Sequence, residues 1–357
     1  MAKVVYLLGA GASYGLRGNN HLDFEIKTYD GLFTETSTGE CSNIIEGLPI
    51  VSELPNRMLY IISKLWEYVN GLQEGSKERT LCETLTKDFE WAQRESKRHS
   101  TIDTFAKKLW LTKQTANYER LKKVMSIYFT LEQLFGQTDK RYDAFFAAIL
   151  GNGATDLPSN ISIISWNYDC QFELAYNEYI GGNSINRLQG ALDIHIKTRG
   201  YEEEEVDAFN IIKLNGTALF YDRDKKNFLD PFYDRQNLTA IEYVSSVPYF
   251  ADNLKNALSF AWEDTRQKFL DTIIPNSIND AETLVIIGYS FPFFNREVDK
   301  HLFKNMPDLT KVYIQDKDPD KIEESVRNLF TTPHLTVCKT KIEKKYNTDQ
   351  FYLPPEL

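Results

Sequence analysis

Short apolar runs that end in polar turns alternate with amphipathic segments along most of this chain. The runs occupy residues 4–8, 160–165, 209–214, 283–287 and 311–315. Continuous runs of this length are typical of strands that are buried on both faces. The intervening stretches 170–179 and 249–273 are predicted to be helical. Strands that alternate with helices predict an α/β fold, here a Rossmann-like, doubly wound parallel sheet.

Between residues 52 and 150 the hydrophobic period becomes that of helices. Apolar side chains recur there at spacings of three and four, as at Met58, Ile61, Ile62, Leu65 and Val69. We therefore predict a large, mainly helical insertion lobe over 52–150, within a sheet domain formed by 1–51 and 151–357. The polar stretch 17–46 is predicted to be a loop or a small hairpin.

The composition is that of an ordinary globular protein, with 42% hydrophobic and 26% charged residues among 357. The formal charge of −10 argues against direct nucleic-acid binding, because such proteins usually carry a basic surface. The densest basic stretch, Lys339–Lys345, contains a glutamate and is predicted to be a solvated strand or loop. No apolar run reaches the roughly 18–20 residues that cross a bilayer, so no membrane contact is expected.

The four cysteines lie far apart, at positions 41, 82, 170 and 338, with no CxxC pair and no histidine at metal-ligand spacing. This pattern argues against a zinc ribbon, and we expect no bound metal. Nothing before the first strand resembles a secretory signal, so a disulfide framework is not expected either. The expected location is the reducing cytoplasm.

The first apolar run ends in a small-residue turn made of Gly9, Ala10, Gly11, Ala12 and Ser13. Glycines let the backbone approach a phosphate closely, and a following helix offers free N–H groups. The turn is neither a Walker loop nor a full GxGxxG sequence. A tight strand-to-helix turn without a ligand is the alternative interpretation.

The second polar turn, Trp166-Asn167-Tyr168-Asp169, follows the run at 160–165. One of the short side chains Asn167 and Asp169 could orient a ribose or a water molecule while the other fixes the loop. The alternative is that both cap the following helix. Trp166 could flank a bound ring, although core packing explains it equally simply.

Three further polar turns follow the remaining apolar runs. They contain Asn215 and Gly216, then Gly288, Tyr289 and Ser290, and finally Gln315 and Asp316. Ligands of doubly wound sheets bind beyond the carboxyl ends of the strands, so we expect all five turns to meet at one crevice.

In this order the turns resemble the motifs of the sirtuin-like family, in particular its zinc-less bacterial branch, which includes anti-phage NAD hydrolases. Residues 9–13 are similar to the family's GAG[IA]S phosphate turn, and Gly47-Leu48-Pro49 to the GIP or GLP that follows it. Residues 166–169 resemble the [TQ]NxD loop, 213–216 the KLHG segment, 288–292 the G[TY]S turn, and 313–316 the last ribose-contacting strand. The resemblance covers about two thirds of the chain.

The resemblance implies NAD as substrate or ligand, with Asn167 at the nicotinamide ribose and with Asn167, Asp169 and Asn215 as the catalytic group. The expected NAD contacts are Gly9, Ala10, Gly11, Ala12, Ser13, Trp166, Gly216, Gly288, Tyr289, Ser290, Gln315 and Asp316. No zinc is implied, because the deacetylases' zinc ribbon is missing.

The family's catalytic histidine aligns with Asn215, and an amide cannot act as a general base as imidazole does. We therefore expect an NAD+ hydrolase of bacterial defence type, attenuated by Asn215. The alternative is a non-catalytic NAD+ or ADP-ribose sensor within a larger defence assembly. His21 and His99 could replace the missing imidazole, but exposed or structural roles explain both.

The resemblance further implies a homo-oligomer and a HerA-type ATPase or another defence protein as partner. An ordinary NAD(P)-dependent dehydrogenase is disfavoured. The first turn is not GxGxxG, and no acidic residue follows a clear second strand about 20 residues on.

Overall fold

The computed structural model describes residues 2–14, 33–35, 41–43, 56–136, 138–198, 209–232, 242–244, 253–263, 269–330 and 340–357. The chain divides into two compact units. The sheet unit comprises Met1–Leu16, Thr138–Ala218 and Ala257–Leu357, and the helical unit comprises Arg17–Gln137 and Leu219–Asn256.

The sheet unit contains a seven-stranded sheet in which every paired neighbour is parallel. Its strands are β1 Lys3–Leu8, β2 Ile161–Ser165, β3 Ile194–Ile196, β4 Asn210–Lys213, β5 Ala281–Ile287, β6 Lys311–Gln315 and β7 Lys341–Lys345. Their order across the sheet is β7-β6-β5-β1-β2-β4-β3. This confirms the predicted Rossmann-like parallel sheet.

The central strands are buried because both faces of the sheet are covered. Residues 4–8 of β1, all of β2 and residues 283–287 of β5 are buried, and most of them are β-branched or aromatic. Such residues fit a pleated surface packed on two sides. β7 differs, since each of its residues is exposed or half-buried, as expected for a charged edge strand. The prediction of a solvated strand within Lys339–Lys345 is thereby confirmed.

The strand order reverses beside β1. β2, β4 and β3 lie on one side of it, and the later strands β5, β6 and β7 lie on the other. The turns after β1 and β5 therefore leave the sheet at its topological switch point, where ligands of open α/β sheets bind.

The helices of the sheet unit include α1 Ala10–Tyr14, α2 Lys140–Ile149, α3 Gln171–Ile180, α4 Ile185–Ala191, α5 Ile274–Ile278, α6 Arg296–Lys304 and α7 Pro319–Phe330. A single π-helical turn, Phe269–Ile273, precedes α5. α2 was expected in the insertion lobe, yet it belongs to this unit.

The helical unit contains the helices Asn56–Val69, Lys77–Lys97, Ile102–Leu111 and Thr115–Phe135. The predicted apolar face of the first is buried at Ile61, Ile62, Leu65 and Val69. Within the polar stretch 17–46, the short strands Phe33–Glu35 and Cys41–Asn43 form an antiparallel pair. The rest of that stretch lies outside the described residues.

The prediction of a helix over 249–273 is correct for its last five residues, since Phe269–Ile273 is a π-helical turn, and wrong for the earlier described part. Leu254–Leu258 is a strand in a three-stranded sheet with Gly216–Asp222 and Asn227–Phe228. Hydrogen bonds at the C-terminal end of this strand stabilise it, since the Ala257 carbonyl accepts from Thr198 Oγ1 at 2.9 Å and the Ser259 N–H donates to the Asn215 carbonyl at 2.8 Å. Tertiary pairing here overrides local helix propensity.

None of the described helices is long and apolar enough to cross a bilayer.

Candidate functional site

The turns after β1 and β5 pack backbone against backbone. The N–H of Gly11 donates to the Gly288 carbonyl at 3.0 Å. A Cβ on Gly9 would lie 2.5 Å from the Gly288 oxygen, and one on Gly11 would lie 2.8 Å from Gly288 Cα. Close packing of the two turns therefore accounts for the glycines of the GAGAS sequence. Ala10 and Gly11 are exposed, whereas Ala12 is buried.

Ser13 links the first turn to the second. Asn167 Nδ2 donates to Ser13 Oγ at 2.9 Å, and Ser13 Oγ lies 2.7 Å from the hydroxyl of Tyr142 on α2. The Asn167 backbone N–H donates to Ser165 Oγ at 3.1 Å. These contacts direct the Asn167 amide nitrogen inward, and in the described part of the chain no donor bonds Asn167 Oδ1. That oxygen is available as an acceptor for a ligand.

The carbonyl end of α1 is fixed by a buried arginine. Arg141 Nη2 donates to the Ala12 carbonyl at 2.6 Å, and its guanidinium pairs with Asp139 at 2.9 Å. The Asp139 backbone N–H in turn donates to Gln171 Oε1 at 2.8 Å. Because the ion pair is almost fully buried, it holds the first turn rigidly against α2 and α3.

Asn215 lies after β4 and is 8% exposed. Its Nδ2 donates to the Trp166 carbonyl at 3.0 Å. Its Oδ1 is buried and accepts no hydrogen bond among the described residues. A buried acceptor without a donor costs roughly 1–3 kcal/mol, a cost that an internal water molecule or a ligand hydroxyl would remove.

Asp169 is hydrogen-bonded to neighbouring protein groups. Its Oδ1 accepts the N–H of Gln171 at 3.2 Å, which caps α3, and its carbonyl accepts from Lys213 Nζ at 2.8 Å. Lys213 also pairs with Glu173 at 2.5 Å, and both side chains are buried. Burial opposes the charge on Lys213, but the Glu173 carboxylate raises its pKa. The capping alternative thus accounts for the contacts of Asp169.

Gly216 adopts a left-handed backbone with φ of 73°. A Cβ there would lie 2.0 Å from the Ala257 carbonyl oxygen. The glycine is therefore required by the close approach of the strand Leu254–Leu258, which also holds Asn215 in place.

Trp166 and Tyr289 meet across the ends of β2 and β5. Their rings stack at 5.9 Å with an interplanar angle of 17°, and both are buried. The Tyr289 hydroxyl donates to the Asp299 carboxyl at 2.9 Å and accepts from Asn295 Nδ2 at 3.0 Å. Burial raises the pKa of Asp299 to about 8, against the opposing hydrogen bond from Tyr289. Both aromatic side chains point into this interior cluster.

Beyond Tyr289 the chain is exposed and strained. Ser290 is exposed, and Phe291 has a φ of 53°, a left-handed conformation that a phenylalanine rarely adopts. Phe291 packs against the Tyr289 ring at 4.6 Å, which supports the unusual backbone. The exposed Ser290 is thus held next to the switch point.

The Gln315 side chain is hydrogen-bonded to the segment 347–352. Its Nε2 donates to the carbonyls of Asn347 and Gln350, both at 2.6 Å, and its Oε1 accepts the N–H of Tyr352 at 2.9 Å. Asp316, which is half-buried, accepts the N–H of Asp318 at 2.9 Å. Of these two residues, only Asp316 has a side chain with accessible surface for a ligand.

The described histidines have partners away from the strand-end turns. His99 Nδ1 lies 2.7 Å from the Glu95 carbonyl, His195 Nε2 lies 3.0 Å from Asp193, and His301 Nε2 lies 2.8 Å from the Leu270 carbonyl. His21 and the motif Gly47-Leu48-Pro49 fall outside the described residues. No cluster of three metal-ligating side chains occurs in the part of the chain that is described.

The site is thus a set of linked strand-end loops in a Rossmann-like sheet. The turns after β1 and β2 are joined through Ser13 and Asn167, and those after β2 and β4 through Trp166 and Asn215. The turns after β1 and β5 are joined at Gly288. Neither protein-family models nor curated protein sequences match this chain.

Three residues of this arrangement were not predicted from the sequence: Arg141, Tyr142 and Asp299. The first two lie in the helical pattern at 141–150, which gave no sign that α2 would reach the first turn. Asp299 could have been suspected, because it is an acidic residue on the buried face of an amphipathic helix.

Proposed function

We propose that the sheet unit binds NAD+ at the carboxyl edge of β1, β2 and β4 and hydrolyses it to nicotinamide and ADP-ribose. The observation that carries the proposal is a pair of amide oxygens, Asn167 Oδ1 and Asn215 Oδ1, at the ends of adjacent strands, neither of which accepts a hydrogen bond from the described residues. Ribose hydroxyls are donors that such oxygens would accept. The order of the five turns, which resembles that of sirtuin-like NAD hydrolases, supports the choice of ligand.

In the proposed complex, Asn167 orients the nicotinamide ribose. Its amide cannot rotate freely, since Nδ2 is bonded to Ser13 and the backbone N–H to Ser165. An acceptor that is fixed before the ligand arrives loses little conformational entropy on binding, which favours both affinity and orientation. Asn215 would accept a second hydroxyl or hold the attacking water.

The proposed reaction breaks the bond between the ribose C1′ and the nicotinamide nitrogen. The bonding electrons leave with nicotinamide, which becomes neutral, and C1′ passes through an oxocarbenium-like state as in glycoside cleavage. Water then adds to C1′ and releases a proton to the solvent. The step depends on orientation and electrostatic stabilisation, so the absence of an imidazole would slow it by about 10²–10⁴-fold rather than abolish it.

A second candidate function is a sensor that binds NAD+ or ADP-ribose without cleaving it. The observation in its favour is Asn215 itself, whose amide is bonded to the Trp166 carbonyl and cannot accept a proton near neutral pH. Under this alternative, Asn215→His would create cleavage where the unchanged protein has none.

The test is to incubate the protein with NAD+, follow nicotinamide release by chromatography, and measure NAD+ and ADP-ribose binding by calorimetry. Asn167→Ala should abolish turnover and weaken binding by at least about tenfold, because the ligand's hydroxyl loses its acceptor. Absence of both binding and release, with and without candidate partners, would refute the proposal. Binding without release would select the sensor.

Asn183→Ala is the matched control. Asn183 is also 8% exposed, but its Nδ2 donates to the carbonyls of Ile180 and Gly181 within a helix terminus. Its loss should lower stability and leave NAD+ binding unchanged. Equal effects of the two substitutions on binding would show that Asn167 acts through folding alone.

We extend the proposal to a defence effector that depletes the NAD+ pool when triggered, as a homo-oligomer or with a HerA-type ATPase. This extension derives from the family resemblance. Light scattering of the purified protein, alone and with such an ATPase, tests it.

A further inference from the structure

A buried carboxyl lies directly behind the candidate site. Asp299 is 1% exposed and lies on α6, whose neighbouring residues reach the surface. It accepts a hydrogen bond from the Tyr289 hydroxyl, and the Tyr289 ring stacks on Trp166, whose buried indole N–H has no hydrogen-bond partner among the described residues. Asp299 is therefore linked directly to the turn after β5 and, through the Tyr289 ring, to the turn after β2.

Trp166 connects the Tyr289–Asp299 pair to the proposed ligand-binding amides. Its carbonyl accepts from Asn215 Nδ2 at 3.0 Å, and the next residue along the chain is Asn167. A movement of Trp166 would therefore change the positions of both the Asn167 and the Asn215 amides. The Trp166–Tyr289 stack is the physical link between them and the carboxyl.

We propose that Asp299 is a positioning residue, which sets the placement of Trp166, and through it of Asn167 and Asn215, according to whether its carboxyl is protonated. This inference deepens the proposed function and rests on it for the ligand, but the coupling of Asp299 to Trp166 is independent of any ligand.

The chemistry of the cluster supports a response to pH. Burial raises the pKa of Asp299 to about 8, so the carboxyl is mostly neutral at pH 7 and ionised above pH 9. The ionised form is an acceptor only, and it attracts the N–H of Trp166 and the hydroxyl of Tyr289 more strongly than the neutral form does. Ionisation should therefore draw the indole toward the carboxyl.

No charged side chain in the described residues contributes to the raised pKa of Asp299. Tyr289, whose own pKa is raised by burial and by Asp299, stays neutral throughout this range. Several other ionisable side chains of α6 and of the adjoining helix α7 have partners of their own: Glu297 pairs with Lys300, His301 Nε2 lies 2.8 Å from the Leu270 carbonyl, and Glu323 pairs with Arg327. The group whose ionisation the proposal invokes is the Asp299 carboxyl.

The experiment is a pH titration of the indole N–H resonances by NMR between pH 6 and 10. The five tryptophans are resolved by assigning Trp166 with a Trp166→Phe variant. In the unchanged protein, the Trp166 resonance should shift with a midpoint near pH 8. In Asp299→Asn, which keeps the shape but cannot ionise, it should not move. Glu297→Gln, on the exposed side of the same helix, should titrate like the unchanged protein.

NAD+ affinity measured across the same range completes the test. It should change several-fold with the same midpoint in the unchanged protein and be independent of pH in Asp299→Asn. A Trp166 resonance that does not titrate, or that titrates equally in Asp299→Asn, overturns the inference. A pH-independent affinity alongside a titrating Trp166 overturns the link to the ligand.

If NAD+ fails to bind at any pH, the proposed function fails. The coupling between Asp299 and Trp166 is still decided by the resonance. Circular dichroism of each variant confirms that the fold is retained before either measurement is interpreted.

Discussion

The two sides of β1 use similar polar turns in different ways. After β2 and β4, Asn167 and Asn215 each have an amide oxygen that no donor in the described part of the chain reaches. After β5 and β6, the Tyr289 hydroxyl donates to Asp299, and both the nitrogen and the oxygen of the Gln315 amide are hydrogen-bonded to the C-terminal segment. One side keeps hydrogen-bonding capacity for a ligand, and the other uses it to hold the protein together.

This difference teaches that a polar residue at a strand end is only a candidate for function. What distinguishes the two sides is the unused capacity of each side chain, which a sequence does not display. Substitutions on the β5 and β6 side should therefore lower stability first, and substitutions on the β2 and β4 side should lower ligand binding first.

The largest effect is expected at Gly288. Its φ is 58°, and a Cβ would lie 2.5 Å from the Ala12 nitrogen, so Gly288→Ala must displace the backbone of the first turn. We expect a loss of about 3 kcal/mol or more in the free energy of unfolding, measured by urea denaturation.

Gly181→Ala is the control for Gly288→Ala. Gly181 has a similar φ of 64°, but nothing lies within 4 Å of its Cβ position. Gly181→Ala should then lower the free energy of unfolding by only about 1 kcal/mol, the cost of placing an alanine in a left-handed conformation. Equal losses for the two variants would contradict the tight packing between the β1 and β5 turns.

Gln315→Ala sharpens the comparison directly. Its amide makes three hydrogen bonds to the segment 347–352 while 3% exposed, so its removal takes away the partner of the Asn347 and Gln350 carbonyls and of the Tyr352 N–H. We expect a loss of about 2–3 kcal/mol in stability by urea denaturation with unchanged NAD+ affinity. Asn167→Ala should show the reverse, with less than about 1 kcal/mol of stability lost. If Gln315→Ala abolished binding at unchanged stability, the division between the two sides would be wrong.

Asp299 should give the β5 side a pH-dependent stability. Because its pKa is about 8 in the folded state and about 3.9 when unfolded, the folded protein holds a proton that the unfolded chain releases. Its contribution to stability is complete below pH 3.9 and declines as the pH rises through 8. Unfolding of Asp299→Asn, measured from pH 5 to 9, should lack this decline. A parallel pH dependence in both proteins would assign the titration to another group.

The smallest effect is expected for Tyr142→Phe. The substitution removes the hydroxyl that lies 2.7 Å from Ser13 Oγ and keeps the ring, which packs on Phe172 and Phe351. Stability should fall by about 1 kcal/mol, and NAD+ affinity should fall a few-fold because Ser13 holds Asn167 less firmly. Ser13→Ala should lower NAD+ affinity more than Tyr142→Phe does. The opposite ranking would argue against a hydrogen-bonded series that runs from Tyr142 through Ser13 to Asn167.

Much of the fold could be predicted because the strands are buried on both faces. Runs such as Val4–Leu8 and Thr283–Ile287 leave little ambiguity, and the turns that follow them reveal the carboxyl edge. The segment Leu254–Leu258 could not be predicted in the same way. Its pairing with Gly216–Asp222 is a long-range contact, and the sequence LKNAL has no marked strand preference.

The candidate site was predictable in part. The positions of Asn167 and Asn215 followed from the strand pattern, whereas the use of Gln315 and Tyr289 in internal contacts depended on partners at 347–352 and at Asp299. Arg141 and Tyr142 were missed because α2 continues the helical period of the preceding lobe, although it packs in the sheet unit. The hydrophobic period of a helix does not show in which of the two units the helix packs.

The central place of β1 has a consequence for biosynthesis. Its partner β5 pairs Ala281 with Lys3, so one edge of the first strand stays unpaired until about 280 further residues have been translated. At about 5–20 residues per second, the ribosome needs roughly 15 to 60 s to supply that partner. During this interval a largely apolar strand has an open edge, which is the kind of segment that chaperones shield and that aggregates when they do not.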